Sequence, residues 1–481
     1  MEDHSELRQA TLAWLRQAHC LPPIPQAITD IALTTQLEDE WQNLSNAVVS
    51  AASRTEHRDL YVKTDGDWIP SHRALLGHSG LGDATRLIAQ GARVPEAEVA
   101  DRFVAFCVGP LPASEDWLLL NADVPLGTCI PLGPYTLQTF TPGELRQMLP
   151  MPAIHDLQPG KLDLGPLAGA PFIHAHHPER KSTRGTRWFG AHGPRPEAQH
   201  WRALLPLILW DCEPLRVEAV FDVERGRRFG LRPAEVPTTI KTYGYGGDEE
   251  EVEVRDAGTF HGDPAELPAF KAFCMAVTAR IEAVMDGETS NGVRKLRARR
   301  LERAARHMLR AYQRTFSNYG VWPEEVDELH LDYVIALEAL LASPKASHDK
   351  ITTEFTARAS ALFLTSHARE RARTAAAAAY KARSTYVHGD VIKGPPGLED
   401  KKERHKDQAR WEQERLDELH QLRQFTLRVI LRWLVLTPSN HTDLWKLVDA
   451  AEDDHGRVVG DPLRAFFTAT PPRKLPPDVP R

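Results

Sequence analysis

The sequence predicts an α+β protein in which a mixed N-terminal α+β region precedes a C-terminal all-α helical bundle, and three observations predict it. Between Asp59 and Tyr243, short segments rich in branched and aromatic residues alternate with Gly, Pro and Asp turns, the pattern of strands. From Pro268 apolar residues recur at helical spacing. An alanine-rich run, Ala375 to Ala379, carries that helical character into the C-terminal third. The expected boundaries are 1–262 for the α+β region, as one subdomain or two, 265–437 for the bundle, and 438–481 for a partly disordered extension.

Each element has its own warrant. Glu6 to His19 and roughly Ile24 to Ala52 read as helical, with Leu7, Leu12, Trp14 and Leu15 near helical spacing. Strands are expected at Asp59–Val62, Phe103–Val108, Trp117–Leu120, Leu215–Val223 and Thr238–Tyr243. Gly160 to Pro196, rich in Pro and Gly, reads as a loop, and the acidic block Asp248 to Glu251 as a solvated turn. Phe270, Phe273, Val277, Ile281 and Val284 mark a lead-in helix. Val293 to Phe316 follows, its stripe formed by Val293, Leu296, Leu301, Met308, Tyr312 and Phe316. The remaining helices are Glu324–Ala342, Lys350–His367, Arg369–His388 and Gln408–Leu436, which with the preceding helix make a five-helix bundle. The proline-rich tail from Pro471 is expected to be disordered.

Composition narrows the functional classes. A chain of 481 residues holds two or three domains, and its net charge of -7 gives no global attraction to nucleic acid, so any RNA contact needs a local patch. The helix Val293–Phe316 supplies one: Arg294, Lys295, Arg297, Arg299, Arg300, Arg303, Arg306, Arg310 and Arg314, with Glu302 the only acid. It is either a phosphate-tracking face, with Arg299, Arg303 and Arg306 at its centre, or a solvated helix surface. Cys20, Cys107, Cys129, Cys212 and Cys274 are odd in number and scattered, which favours a reducing cytosolic setting over a disulfide or zinc framework. The acidic, polar start lacks a signal peptide and no apolar run reaches membrane-spanning length, so a soluble cytoplasmic protein without membrane contact is expected.

The hexapeptide Arg383-Ser384-Thr385-Tyr386-Val387-His388, followed by Gly389, carries the chemistry. Arginine offers a planar, permanently charged fork for phosphate oxygens, and histidine exchanges a proton near neutral pH. Together they suffice for cutting RNA without a metal, the ribose 2′-hydroxyl being the nucleophile; no cofactor is called for. Five positions on an ideal helix are offset by about 140° and rise about 7.5 Å, so convergence needs a long arginine and a fraying helix end. Thr385, Val387 and Gly389 provide weak helix formers and a terminator. Ser384, four residues before His388, shares its face. Tyr386 packs either at the site or in the core. Upstream, Glu338 interrupts the apolar run Leu331 to Leu341, where an unpaired carboxylate is costly, and Arg383 or His388 is its simplest partner.

Downstream, the segment Asp390–Asp407 contains Lys393, Lys401, Lys402, Arg404 and Lys406 and either touches RNA or is a connector built around Gly394-Pro395-Pro396-Gly397. Three further clusters have blander readings. His174-Ala175-His176-His177 lacks a spaced carboxylate or cysteine partner and reads as a loop of surface histidines, so no metal site is expected. Gly244-x-Gly246-Gly247 is a turn, and Arg225 to Gly230 a hairpin turn with exposed arginines.

The order of an Ala-Leu-Glu helix around Glu338, two intervening helices, an Arg-Ser-x-x-x-His-Gly helix end and a closing helix over Leu416–Leu436 resembles the HEPN superfamily, and within it the Apea-like branch, over roughly residues 265–437. The resemblance implies a metal-independent endoribonuclease that cleaves single-stranded or loop RNA. It further implies a homodimer that joins two Arg-x-x-x-x-His motifs in a composite cleft. Arg383 and His388 carry over as the catalytic pair, with Glu338, Ser384 and Tyr386 in support. A toxin or anti-phage defence role follows, with a phage or host trigger at the N-terminal region. Ser384 stands where better-known members have asparagine, so detail from other branches transfers poorly. Two other readings stay open: an inactive dimerisation and RNA-binding scaffold, and a regulatory protein-binding subunit.

Overall fold

The computed structural model describes residues 4–22, 30–52, 57, 60–109, 114–147, 152–155, 157, 164–165, 167–177, 200–211, 215–224, 227–228, 239–243, 249–253, 260–261, 263–286, 292–313, 323–342, 348–387, 401–437, 445 and 454–473. Helices α1 (Ser5–Ala18), α2 (Asp30–Gln36), α3 (Glu38–Ala51), α4 (Leu81–Ala89) and α5 (Glu96–Val108) gather around a core of their own. Leu7, Trp14 and Leu15 of α1 meet Leu44, Val48, Leu75, Leu81 and Phe103, all at most 1 % exposed. The Trp14 indole Nε1 donates to Thr85 Oγ1 at 2.8 Å, so its buried polar edge is satisfied. The hairpin β1 (Tyr61–Thr64) and β2 (Asp67–Pro70) closes through Asp65 (φ 47°) and Gly66 (φ 99°), the Asp-Gly pair such a two-residue turn prefers.

Two expectations change here. Phe103–Val108 is the end of α5, not a strand. Val99, Phe103 and Cys107 recur every fourth residue and are fully buried, so the four-residue period overrides the strand preference of Val104, Phe106 and Val108. The helical stretch Ile24–Ala52 is two helices, α2 and α3, interrupted at Leu37.

A seven-stranded sheet follows, with β3 (Ser114–Asp123) near its centre, β4 (Cys129–Leu132), β5 (Tyr135–Thr139) and β6 (Pro171–His177) on one side, and β7 (Arg216–Glu224) and β8 (Arg227–Arg228) on the other. These neighbours are antiparallel, while β11 (Phe260–His261) pairs with β3 in parallel. The strands expected at Trp117–Leu120 and Leu215–Val223 are β3 and β7. The loop expected over Gly160–Pro196 instead contains β6, whose alternate residues serve two cores. Ile173 lies with Leu118 and Leu137 on the bundle side, and Phe172 with Trp117, Leu119 and Leu145 on the other. His174 is therefore a strand residue, stacked on Trp117 at 4.1 Å between centroids, and not part of a surface loop. The expected strand Thr238–Tyr243 is β9 (Thr239–Tyr243), and it pairs with β10 (Glu249–Glu253). Glu249–Glu251 is thus strand and not turn, while Gly244–Gly247 lies outside the described residues. Val223 pairs with Arg228 and Glu224 with Arg227, the register of the expected hairpin.

After β5 come the short helices α6 (Pro142–Gln147) and α7 (Pro152–His155). The helices α8 (Trp201–Asp211) and α9 (Leu267–Asp286) join sheet and bundle into one continuous core, so the 262/265 boundary marks a change of secondary structure with the core running across it. The bundle comprises α10 (Gly292–Gln313), α11 (Pro323–Leu341), α12 (His348–Ala361), α13 (Ser366–Val387) and the 36-residue α14 (Lys401–Leu436). On α10 the buried stripe is Ala298, Leu301, Ala304, Ala305, Met308 and Leu309, whereas Leu296 is 43 % exposed and lies off it. Small alanines there let α11 approach closely. Residues 401–407 are the start of α14, so the last seven residues of the expected loop Asp390–Asp407 are helical. The extension is partly core: Trp445 Nε1 donates to Leu340 O at 3.0 Å, and α15 (Asp461–Ala469) inserts Leu463, Phe466 and Phe467. Residues 471–473 of the tail expected to be disordered are held by Arg473, which donates through its backbone N to Trp210 O at 3.0 Å and through Nη1 to Asp211 Oδ2 at 2.8 Å. Cys20, Cys107, Cys129 and Cys274 are free thiols. Among the described residues no helix is long and apolar enough to cross a membrane.

Candidate functional site

Glu338 and Arg383 meet between α11 and α13. On α11 the buried residues Val334, Ala336, Leu337, Leu340 and Leu341 fix the helix in the core, each full leucine burial contributing about 2 kcal/mol. That packing leaves Glu338 on the flank facing α13, its side chain 17 % exposed. Arg383, one turn from the last described residue of α13, brings Nε to 2.9 Å from Glu338 Oε1 with 30 % of its side chain exposed. Nε lacks the alignment of a hydrogen bond, so the contact is an ion pair. The guanidinium carbon also lies 5.8 Å from the Tyr380 ring centroid, and Tyr380 is itself packed on Phe355. Burial pushes the Glu338 carboxyl above the usual range; Arg383, and after it Arg303 from α10, pull it back down. Two cations thus converge on one half-buried carboxylate.

Of the other expected site residues, Ser384 and Tyr386 are half-buried on the last turn of α13. The helix stays regular to Val387: Thr385 Oγ1 donates to Lys381 O at 3.1 Å, four residues back. The fraying expected of the helix end therefore does not begin before Val387. His388 and Lys393 lie outside the described residues. Arg299, Arg303 and Arg306 are all exposed on α10, and Arg306 pairs with Glu302 at 2.6 Å. Arg297 is turned inward, its Nη1 donating to Thr437 O at 3.4 Å.

A second polar cluster on the same pair of helices was not singled out by sequence reasoning. Nδ1 of His307 on α10 lies 2.9 Å from Oδ1 of Asp332 on α11, and Arg310 Nε lies 3.5 Å from Oδ2. Its only sequence signals were Arg303, His307 and Arg310 at helical spacing and a carboxylate at Asp332 between apolar neighbours. Elsewhere on α11, burial pushes the Tyr333 hydroxyl up to about 12 and the His330 ring down to about 4. Among the described residues no three His, Cys, Asp or Glu side chains are placed to hold a metal ion.

Comparison with family models, with curated proteins and with solved structures finds no match. The fold and the two clusters define a class only: an α+β protein whose helical part carries paired acidic and basic side chains along the seam of α10 and α11.

Proposed function

We propose that this protein is a metal-independent HEPN-type endoribonuclease of single-stranded or loop RNA, a regulated toxin or anti-phage effector acting in the cytoplasm as a homodimer. The observation that carries this reading is the Arg383–Glu338 pair. Glu338 holds one edge of a partly exposed guanidinium, which leaves the other edge for phosphate oxygens, and the exposed cations of α10 lie on the adjoining helix. In the reaction the ribose O2′ attacks phosphorus and the bond to O5′ breaks. A proton leaves O2′ and another reaches O5′, giving a 2′,3′-cyclic phosphate and a 5′-hydroxyl. His388 is assigned proton transfer and Arg383 the developing phosphate charge.

The test incubates wild type, Arg383→Ala and His388→Ala with total and transfer RNA in excess EDTA and maps the fragment ends. Cleavage by wild type alone, with cyclic phosphate ends, is expected; equal cleavage by all three removes the assignment. The same ion pair favours a second reading, since a half-buried carboxylate needs a cation for purely structural reasons. That scaffold reading predicts RNA binding that survives His388→Ala and no cleavage by either form.

A further inference from the structure

The His307–Asp332–Arg310 cluster has a division of exposure that a structural ion pair does not require. The Asp332 side chain is 5 % exposed, that of His307 24 % and that of Arg310 52 %. The carboxylate is the buried anchor, and the imidazole and the guanidinium reach from it toward solvent. Asp332 Oδ1 accepts from His307 Nδ1, which fixes the ring and leaves Nε2 as the opposite pole. Among the described residues His307 has no partner besides Asp332, and Arg310 none besides the same carboxylate.

The cluster continues the Glu338 site. Arg303, which acts on Glu338, precedes His307 by four residues and Arg310 by seven, so the three follow one face of α10 at rises of about 6 Å and about 4.5 Å. Because α10 and α11 run antiparallel, Arg303 faces Glu338 while His307 and Arg310 face Asp332. Arg299 extends the row as an exposed cation. In a chain of net charge -7 such a row is a local field for a polyanion.

We propose that the seam of α10 and α11 binds the phosphodiester backbone of single-stranded RNA, with His307 and Arg310 as a two-donor phosphate subsite adjoining Arg303. Nε2 of the His307 ring and the Nη atoms of the Arg310 guanidinium meet non-bridging oxygens of one phosphate. Asp332 is a positioning residue that prevents both groups from collapsing onto the helix surface. This subsite deepens the nuclease reading and takes its RNA substrate class from it, but it requires binding only.

The test measures anisotropy of a labelled 2′-O-methyl oligouridylate, which lacks the nucleophile, across a salt series in EDTA. Wild type is compared with His307→Gln, Arg310→Gln and the double variant. The double variant is expected to bind about tenfold more weakly at low salt, with the slope of log affinity against log salt shallower by about 0.7, since the two groups share one phosphate and each phosphate contact on a single strand contributes about 0.7. In nitrogen-15 histidine spectra, the ring signal missing from His307→Gln is expected to move when the oligomer is added to wild type. Should His307→Gln fail to fold, Arg310→Gln, changed at an exposed tip, carries the test. Unchanged affinity and slope in Arg310→Gln, a stationary His307 signal while the oligomer is bound, or no binding by wild type overturns the subsite. Tighter binding of polyglutamate than of the oligomer also overturns it and points to an acidic protein partner. Wild type that binds as expected yet leaves unmodified RNA intact supports the subsite and counts against the nuclease reading alone.

Discussion

Arg383 and Glu338, forty-five residues apart in sequence, are joined by a contact of 2.9 Å that ties the C-terminal end of α13 to the last turn of α11. Arg383→Ala leaves a half-buried carboxylate that, among the described residues, keeps Arg303 in its field, and a loss of about 1–3 kcal/mol is expected in urea unfolding. Glu338→Gln in the same background should restore most of it, a coupling that a double-mutant cycle reads directly. Glu338→Gln alone keeps the fold but releases the guanidinium. Under the nuclease reading, RNA cleavage then falls by up to about a hundredfold, the cost typical of a misplaced catalytic group.

His330 sets an acid limit on the fold. Burial holds its ring at about 4 against an ordinary 6.5, opposed by the Ala379 backbone and reinforced by Arg415. A lowered histidine contributes nothing at high pH. As pH falls through 6.5 the unfolded chain takes up the proton and the folded chain does not, so stability is lost until about pH 4. The loss amounts to about 2 kcal/mol at pH 5 and about 3 kcal/mol in full. Unfolding free energies of wild type and His330→Leu, compared at neutral pH and pH 5, should differ by that acid-dependent amount; parallel pH profiles contradict it.

Charge on α10 separates an RNA partner from a protein partner. Reversal of Arg299 to Glu, at an exposed position, should leave thermal unfolding within a few degrees while weakening RNA binding in a salt-dependent way. Filter binding at low and high salt checks this. Loss of a protein partner with RNA binding intact identifies a regulatory subunit instead.

The bundle was legible because its helices carry long, consistent patterns: an α11 whose second half is apolar around Glu338, and an alanine-rich α13 with Arg383 near its end. The Glu338 pairing was legible too, since a carboxylate in an apolar helix needs a cation. Phe103–Val108 was misleading because its branched and aromatic residues drew attention from the buried series Val99, Phe103 and Cys107. Strand β6 was hidden by prolines, glycines and histidines, and because both its faces are buried it shows no alternation of apolar and polar residues. His307 and Asp332 escaped notice because their meeting depends on the register of two packed helices, which no local pattern encodes. A coupling between side chains on different elements becomes readable only when one of them is anomalous where it stands.

Arg473 fastens the C-terminal segment to the junction of sheet and bundle. Nη1 meets Asp211 Oδ2 at 2.8 Å, Nε meets Glu266 Oε2 at 2.9 Å, and Asp211 is only 3 % exposed. Arg473→Ala therefore removes a cationic partner from a buried carboxylate at the end of α8 and should destabilise the protein by about 2–3 kcal/mol. Asp211→Asn in the same background removes the carboxylate charge and is expected to recover part of this loss. Removal of residues 471–481 should reproduce the Arg473→Ala effect, because the latch and the backbone bond to Trp210 go together. Urea midpoints of the four proteins decide the matter: a truncation as stable as wild type means that α15 holds its place through Leu463, Phe466 and Phe467 alone.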